Sequence, residues 1–201
     1  MNRFLKFAIW SLGVVFLLGL YFFDNIRGYF RFKEICANDA GLRVYQPLER
    51  NVGWTIGAGG IANTAFIVQF VDVAFVRYKN EGDGNLYDVY KKARLKTDDL
   101  GYAQQASDAS KSAIYQYSVE TIDLPNETRT GAQHFYVVDL RTKKQAIRYS
   151  RFSYSKFNPD NTILGAGSGE FCPEDFARTD LKTGKSIPSK MFEAFASSFA
   201  K

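Results

Sequence analysis

The side chains that most often do chemistry are scarce in this chain: one histidine and two cysteines among 201 residues. A single imidazole excludes a zinc site built from several histidines but leaves Ser-His-Asp and Cys-His arrangements open. His134 opens an apolar segment that reads as a strand, and Asp139, five residues on, falls on the opposite face. His134 is therefore read as an ordinary sheet residue. Cys36 and Cys172 lack the C-x-x-C spacing of redox and zinc motifs. They form the even count expected of one disulfide in an oxidising compartment, with two buried thiols as the alternative. Closing so long a loop contributes on the order of 4 kcal/mol in the chain-entropy description.

Three glycine-rich runs resemble phosphate or nucleophile motifs. Gly57-Ala-Gly59-Gly60-Ile-Ala62 fits G-x-G-x-x-A, which requires a strand before it and a helix after it. The residues that follow, 64–78, are rich in β-branched and aromatic side chains and read as strand, so a loop or bulge is expected instead. Gly184-Lys185-Ser186 ends like a phosphate-binding loop, but Thr179 stands where the first glycine belongs. Around Ser168, Ala166 and Glu170 occupy the two glycine positions of a nucleophile elbow. Asn80, Glu81, Asp83, Asn85 and Asp88 gather oxygen ligands of the kind calcium takes, without EF-hand spacing. A hairpin turn uses the same residue types. No metal or cofactor is expected, and no catalytic residue is assigned. Asn126-Glu-Thr128 is a glycosylation sequon, which matters only in a eukaryotic source.

The elements that would carry these residues begin with an apolar run. No charge interrupts Phe7 to Phe23, and Phe4, Leu5 and Lys6 extend the run to the length of a membrane span. The expectation is a transmembrane helix over Phe4–Phe23, with Phe4, Phe7, Trp10, Phe16 and Phe23 in contact with membrane lipids. The run ends in Tyr-Phe-Phe-Asp without a small-residue cleavage site, which argues against a removed signal peptide. Most of the net charge of +5 lies beside it: Arg3, Lys6, Arg27, Arg31 and Lys33 face Asp24 alone in the first 33 residues. The remainder is nearly neutral, which points away from nucleic acid as a partner. Two basic residues precede the run and three follow it, so charge counting leaves the orientation open. The short leading tail and the cysteine pair favour an N-terminus in the cytoplasm and a periplasmic domain. With no proline before Gly41, the helix is expected to continue to about Cys36.

The organisation expected is an anchor over 1–35 and one extracytoplasmic domain over 36–201. The domain reads as α+β, with a curved antiparallel sheet of about five or six strands. Strands are expected near 42–46, 64–78, 86–95, 112–122, 134–140 and 145–157, with turns at 80–85 and 141–144. Residues 51–60 read as a turn-rich connection and 96–111 as a polar loop or surface helix. Met191, Phe192, Phe195 and Phe199 fall on one face of a short C-terminal amphipathic helix over 189–201, a candidate interaction helix.

The segment Phe32-Lys-Glu-Ile-Cys36-Ala-Asn-Asp39-Ala-Gly41-Leu-Arg-Val44-Tyr45 resembles a pattern in small bacterial single-span envelope proteins. In those an anchor precedes Cys-x-x-Asp-x-Gly-x-x-Val-Tyr. The resemblance covers about fourteen residues plus the anchor, implies a bacterial inner-membrane protein, and transfers no activity. The functional expectation is a non-enzymatic accessory or binding protein of the bacterial envelope, with a protein partner in or at the inner membrane. Two alternatives stand beside it: an immunity or superinfection-exclusion protein that binds a toxin or phage component, and a periplasmic hydrolase using Ser168 or His134.

Overall fold

A computed structural model describes residues 3–57, 61–92, 101–124, 127, 130–155, 169–174, 178–179, 186–187 and 189–200. Side chains at 3–6, 18, 20–22, 24 and 25, and at 61, 62, 178, 179, 186 and 187, lie outside the description. A helix α1 (Arg3–Asp39) leads into β1 (Gly41–Val44), and Gly41 turns the chain there with a φ of +92° that a side chain would strain. Next come β2 (Val52–Ile56), α2 (Ile61–Phe70), β3 (Val73–Lys79), β4 (Leu86–Lys91) and β5 (Tyr102–Ala106). β6 (Ala113–Asp123), β7 (Thr130–Asp139), β8 (Lys144–Ser155) and β9 (Gly169–Cys172) complete the main sheet. Two short strands, β10 (Arg178–Thr179) and β11 (Ser186–Ile187), pair with each other, and α3 (Lys190–Ser197) follows.

Nine strands form one mixed sheet in the order β1-β8-β7-β6-β2-β3-β4-β5, with β9 also on β8. This corrects the expected antiparallel sheet of five or six strands. β2 runs parallel to both β3 and β6. Parallel neighbours need a crossover, and α2 supplies it between β2 and β3. The expected strand over 64–78 is therefore a helix and a strand in succession. Its composition misled because α2 is apolar on every side, and such a run lacks the periodicity that separates helix from strand. Thr64, Ile67 and Val68 are buried, while Phe66 and Phe70 stack against the core.

Residues 51–60 also depart from expectation, since β2 is a central strand whose Trp54 has no exposed surface. Gly53 leaves room for the Phe75 ring of β3, which a Cβ would strike. The glycine is thus a packing solution between paired strands rather than a turn. Within the polar stretch 96–111, Tyr102–Ala106 forms the exposed edge strand β5. The β7–β8 hairpin stands where it was expected. Its turn is held by Asp139, which accepts from the Arg141 and Thr142 backbone N–H groups at 2.8 and 3.4 Å. Lys143 closes the turn at a φ of 59°.

The expected transmembrane helix over Phe4–Phe23 is not supported. Among the described residues no helix is long and apolar enough to cross a membrane. The apolar run is the first part of one continuous 37-residue helix, which passes without a break into Asp24, Arg27, Arg31, Lys33 and Glu34. The expected continuation of the helix toward Cys36 agrees with its observed end at Asp39.

Strands β7 and β8 have both faces covered, and β6 joins them on the first. On one, Tyr117, Phe135, Val137 and Tyr149 meet Met191, Phe192 and Phe195 of α3. On the other, Ala132, Phe152 and Tyr154 meet Phe32 of α1. Pairing of Thr130 with Tyr154 and of Ala132 with Phe152 sets this second face in register.

Asp88 of β4, fully buried, receives two hydrogen bonds from Arg77 of β3 at 2.7 and 2.9 Å and a third from the Asp108 backbone N–H at 3.2 Å. Asp88→Ala leaves the Arg77 charge without its main partner and should cost about 3–5 kcal/mol, measured by urea unfolding. The Asp139 carboxyl is held down to about 2, first by the Arg141 guanidinium and then by the turn N–H groups, against an ordinary value of 3.8. Its folded-state value lies below its unfolded one, so its contribution is present above pH about 4 and is lost as pH falls toward 2. Asp139→Asn should remove roughly 2 kcal/mol of that acid-dependent loss, seen by comparing stability at pH 6 and pH 2.

Candidate interaction surface

The C-terminal half of α1 is fixed to the domain. Tyr29, Phe32, Ile35 and Cys36 recur at helical spacing and face β8 and β9. The Phe32 ring stacks on Tyr154 at 5.4 Å, and Tyr29 meets the same ring edge-on at 5.9 Å. Cys36 is joined to Cys172 by a disulfide across a sequence separation of 136, with Cα atoms 5.9 Å apart. Arg31 binds Glu127 at 2.8 Å and Lys33 binds Glu170 at 3.4 Å. Such partly exposed pairs add little energy, so aromatic packing and the disulfide carry the attachment.

The N-terminal half has no such cover. Phe7 and Trp10 are each 76% exposed and Phe16 66%, and Ile9, Leu12, Val15, Leu17 and Phe23 are also exposed. The side chain of Phe4 lies outside the described residues. A helix apolar on all sides is stable in an environment that surrounds it, and an apolar patch of this extent marks an interaction surface.

The candidate interaction helix at the C-terminus is differently used. Met191, Phe192, Phe195 and Phe199 are all buried within the domain core. The Leu48 backbone exchanges hydrogen bonds with Ser198 and Ala200, which fastens this end of the chain to the loop after β1. The apolar face of α3 is therefore closed to a partner, because the sheet already covers it.

Asn80 accepts from the Gly82 N–H, and Asp83 accepts from the Asn85 N–H and the Tyr87 hydroxyl, each bond 2.7–2.9 Å long. Asp88 is paired with Arg77, so this cluster is turn and strand structure. Among the described residues no group of three or more metal-binding side chains gathers. His134 Nδ1 lies 2.9 Å from Ser150 Oγ, and Glu120 stands opposite His134 across β6. This row has the residue types of a hydrolytic triad. However, Ser150 is 1% exposed, and Glu120 accepts from the Tyr136 hydroxyl at 3.0 Å. Burial and the nearby Arg148 lower the His134 pKa. The row offers no accessible nucleophile. Ser168, Asn126, Gly184 and Lys185 lie outside the described residues.

The ground for setting aside Gly57-Ala-Gly59-Gly60-Ile-Ala62 fails, since β2 precedes it and α2 follows it. Residues 58–60 lie outside the description; at Gly57 a Cβ would crowd the Gln116 amide at 2.6 Å.

Sequence reasoning missed a cavity of about 410 Å3 between the sheet and helices α2 and α3, with Arg151 and Gln133 on its wall. No spacing along the chain signals it, because its described walls come from five separate elements, α2, β6, β7, β8 and α3. No family model, no curated protein and no solved structure matches the chain.

The disulfide generates a direct expectation. Thiol labelling of the native protein should find no reactive cysteine until reductant is added. Cys172→Ser should lower stability by about 2–5 kcal/mol in urea unfolding.

Proposed function

We propose that this chain is a non-enzymatic accessory or binding protein that grips a protein partner through the apolar N-terminal half of α1. The observation that carries this reading is the contrast within one helix. Residues 29–36 are packed and cross-linked to the domain, while large apolar side chains from Phe7 to Phe23 stand in the open. Because the run is apolar on every side, the fitting partner is an apolar assembly that encloses the helix, such as a group of helices with a complementary groove.

The compartment belongs to the same proposal. A disulfide between the only two cysteines supports an oxidising space outside the cytoplasm. The likeness of residues 32–45 to bacterial envelope proteins supports the envelope as its site. The domain would hold α1 at a fixed attachment and the partner would supply the enclosure.

Trp10→Asp combined with Phe16→Asp tests this. Tagged wild-type protein should co-purify with one stoichiometric protein from its native cells, and the double variant should lose it with the melting temperature of the domain unchanged. Retention of the partner by the double variant, or purification of wild-type protein alone at native expression, contradicts the proposal.

A further inference from the structure

We propose, independently of the partner surface on α1, that the cavity beneath α2 and α3 binds a small amphipathic carboxylate, with the head at Arg151 and the apolar body toward α3. At about 410 Å3 the cavity lies in the size range of small-molecule sites. It sits where the parallel strands β2 and β6 run toward the start of α2: Ile56, the last residue of β2, pairs with Tyr117. Val119, two residues farther along β6, lines the wall with Asn63 from the first turn of α2. The carboxyl end of a parallel strand beside a following helix is the usual place for a ligand crevice in such sheets.

The chemistry of the walls selects the ligand. Phe66, Phe135, Met191 and Phe192 make one side apolar and aromatic. Asn63, Gln133, Arg151 and Ser189 supply polar groups, and none of the described wall residues is acidic. Few polar groups within an apolar lining set orientation and specificity rather than bulk affinity. The one formal charge among them is positive, which favours an anion over a neutral or cationic head.

Arg151 is held for this task. Its guanidinium donates to Gln133 Oε1, its cross-strand neighbour on β7. It lies 5.8 Å from the ring centre of Phe135 and 5.6 Å from that of Phe171. The ring contacts and the bond to Gln133 help orient the planar group, whose geometry suits a carboxylate. A smaller cavity of about 200 Å3 shares Arg151 and Gln133 and adjoins the first. The charged head therefore has space at the junction while the chain fills the larger volume.

Decanoate, decanol and decyltrimethylammonium, each below its micelle concentration, are the probes for isothermal titration calorimetry with the full oxidised chain. Wild-type protein should bind decanoate at least tenfold more tightly than decanol and should not bind the cation measurably. Arg151→Met should bring decanoate down to the affinity of decanol while leaving decanol unchanged. Val119→Trp, which fills the cavity from β6, should abolish binding of both, and it decides the matter if Arg151→Met does not fold. The proposal is overturned if wild-type protein binds no decanoate, if decanoate and decanol bind alike, or if a folded Arg151→Met or Val119→Trp protein keeps the wild-type preference.

Discussion

The rest of the structure depends on the two-sided burial of the β7–β8 hairpin, which β6 joins on one face. Period-two alternation turns Tyr117, Phe135 and Tyr149 to one face and Ala132, Phe152 and Tyr154 to the other. Neither face could remain apolar in water, so each must be covered. α3 covers the first with Met191, Phe192 and Phe195, and α1 covers the second with Phe32. The second cover is the more consequential. It makes the attachment of the N-terminal helix part of the fold, and the disulfide at Cys36 closes it covalently. Loop closure of this length acts chiefly by restricting the unfolded chain, so the attachment persists even where the packing is small in area.

The same closure reaches the cavity. Cys172 ends β9, which pairs with β8 over residues 152–155, and Phe171 beside it packs on Arg151. Arg151 in turn contacts Gln133 and Phe135 on the wall of the cavity. α1, the sheet edge and the charged side chain thus form one chain of contacts. What links the exposed surface and the cavity is shared rigidity, and each keeps its own chemistry.

Legibility in the sequence varied with the kind of signal an element leaves. The β7–β8 hairpin was readable because Asp139-Leu-Arg-Thr-Lys-Lys combines turn residues with flanking alternation, and the structure shows Asp139 bonding that turn. The continuity of α1 to Asp39 was readable from the absence of proline before Gly41. α2 was hidden because Ile, Val and Phe on all sides suit a buried strand and a buried helix equally. β2 was hidden by Gly53, whose role emerges only when Phe75 is seen above it. α3 posed another problem: its amphipathic spacing was visible, but spacing cannot say whether the apolar face meets the chain's own sheet or another molecule. The span expected over Phe4–Phe23 rested on the length and apolar character of the run, and no helix among the described residues is long and apolar enough to cross a membrane. The cavity left no trace at all, since Gln133 and Arg151 become neighbours only through strand register.

The central claim is that the open half of α1, and not the buried face of α3, meets a protein partner. A photoreactive side chain placed at Phe16 or at Met191, one at a time, and activated in the native cells tests it most directly. The account predicts a discrete protein adduct from position 16 and none from position 191. Protein adducts from position 191 alone, or adducts from position 16 that contain only lipid, would contradict it.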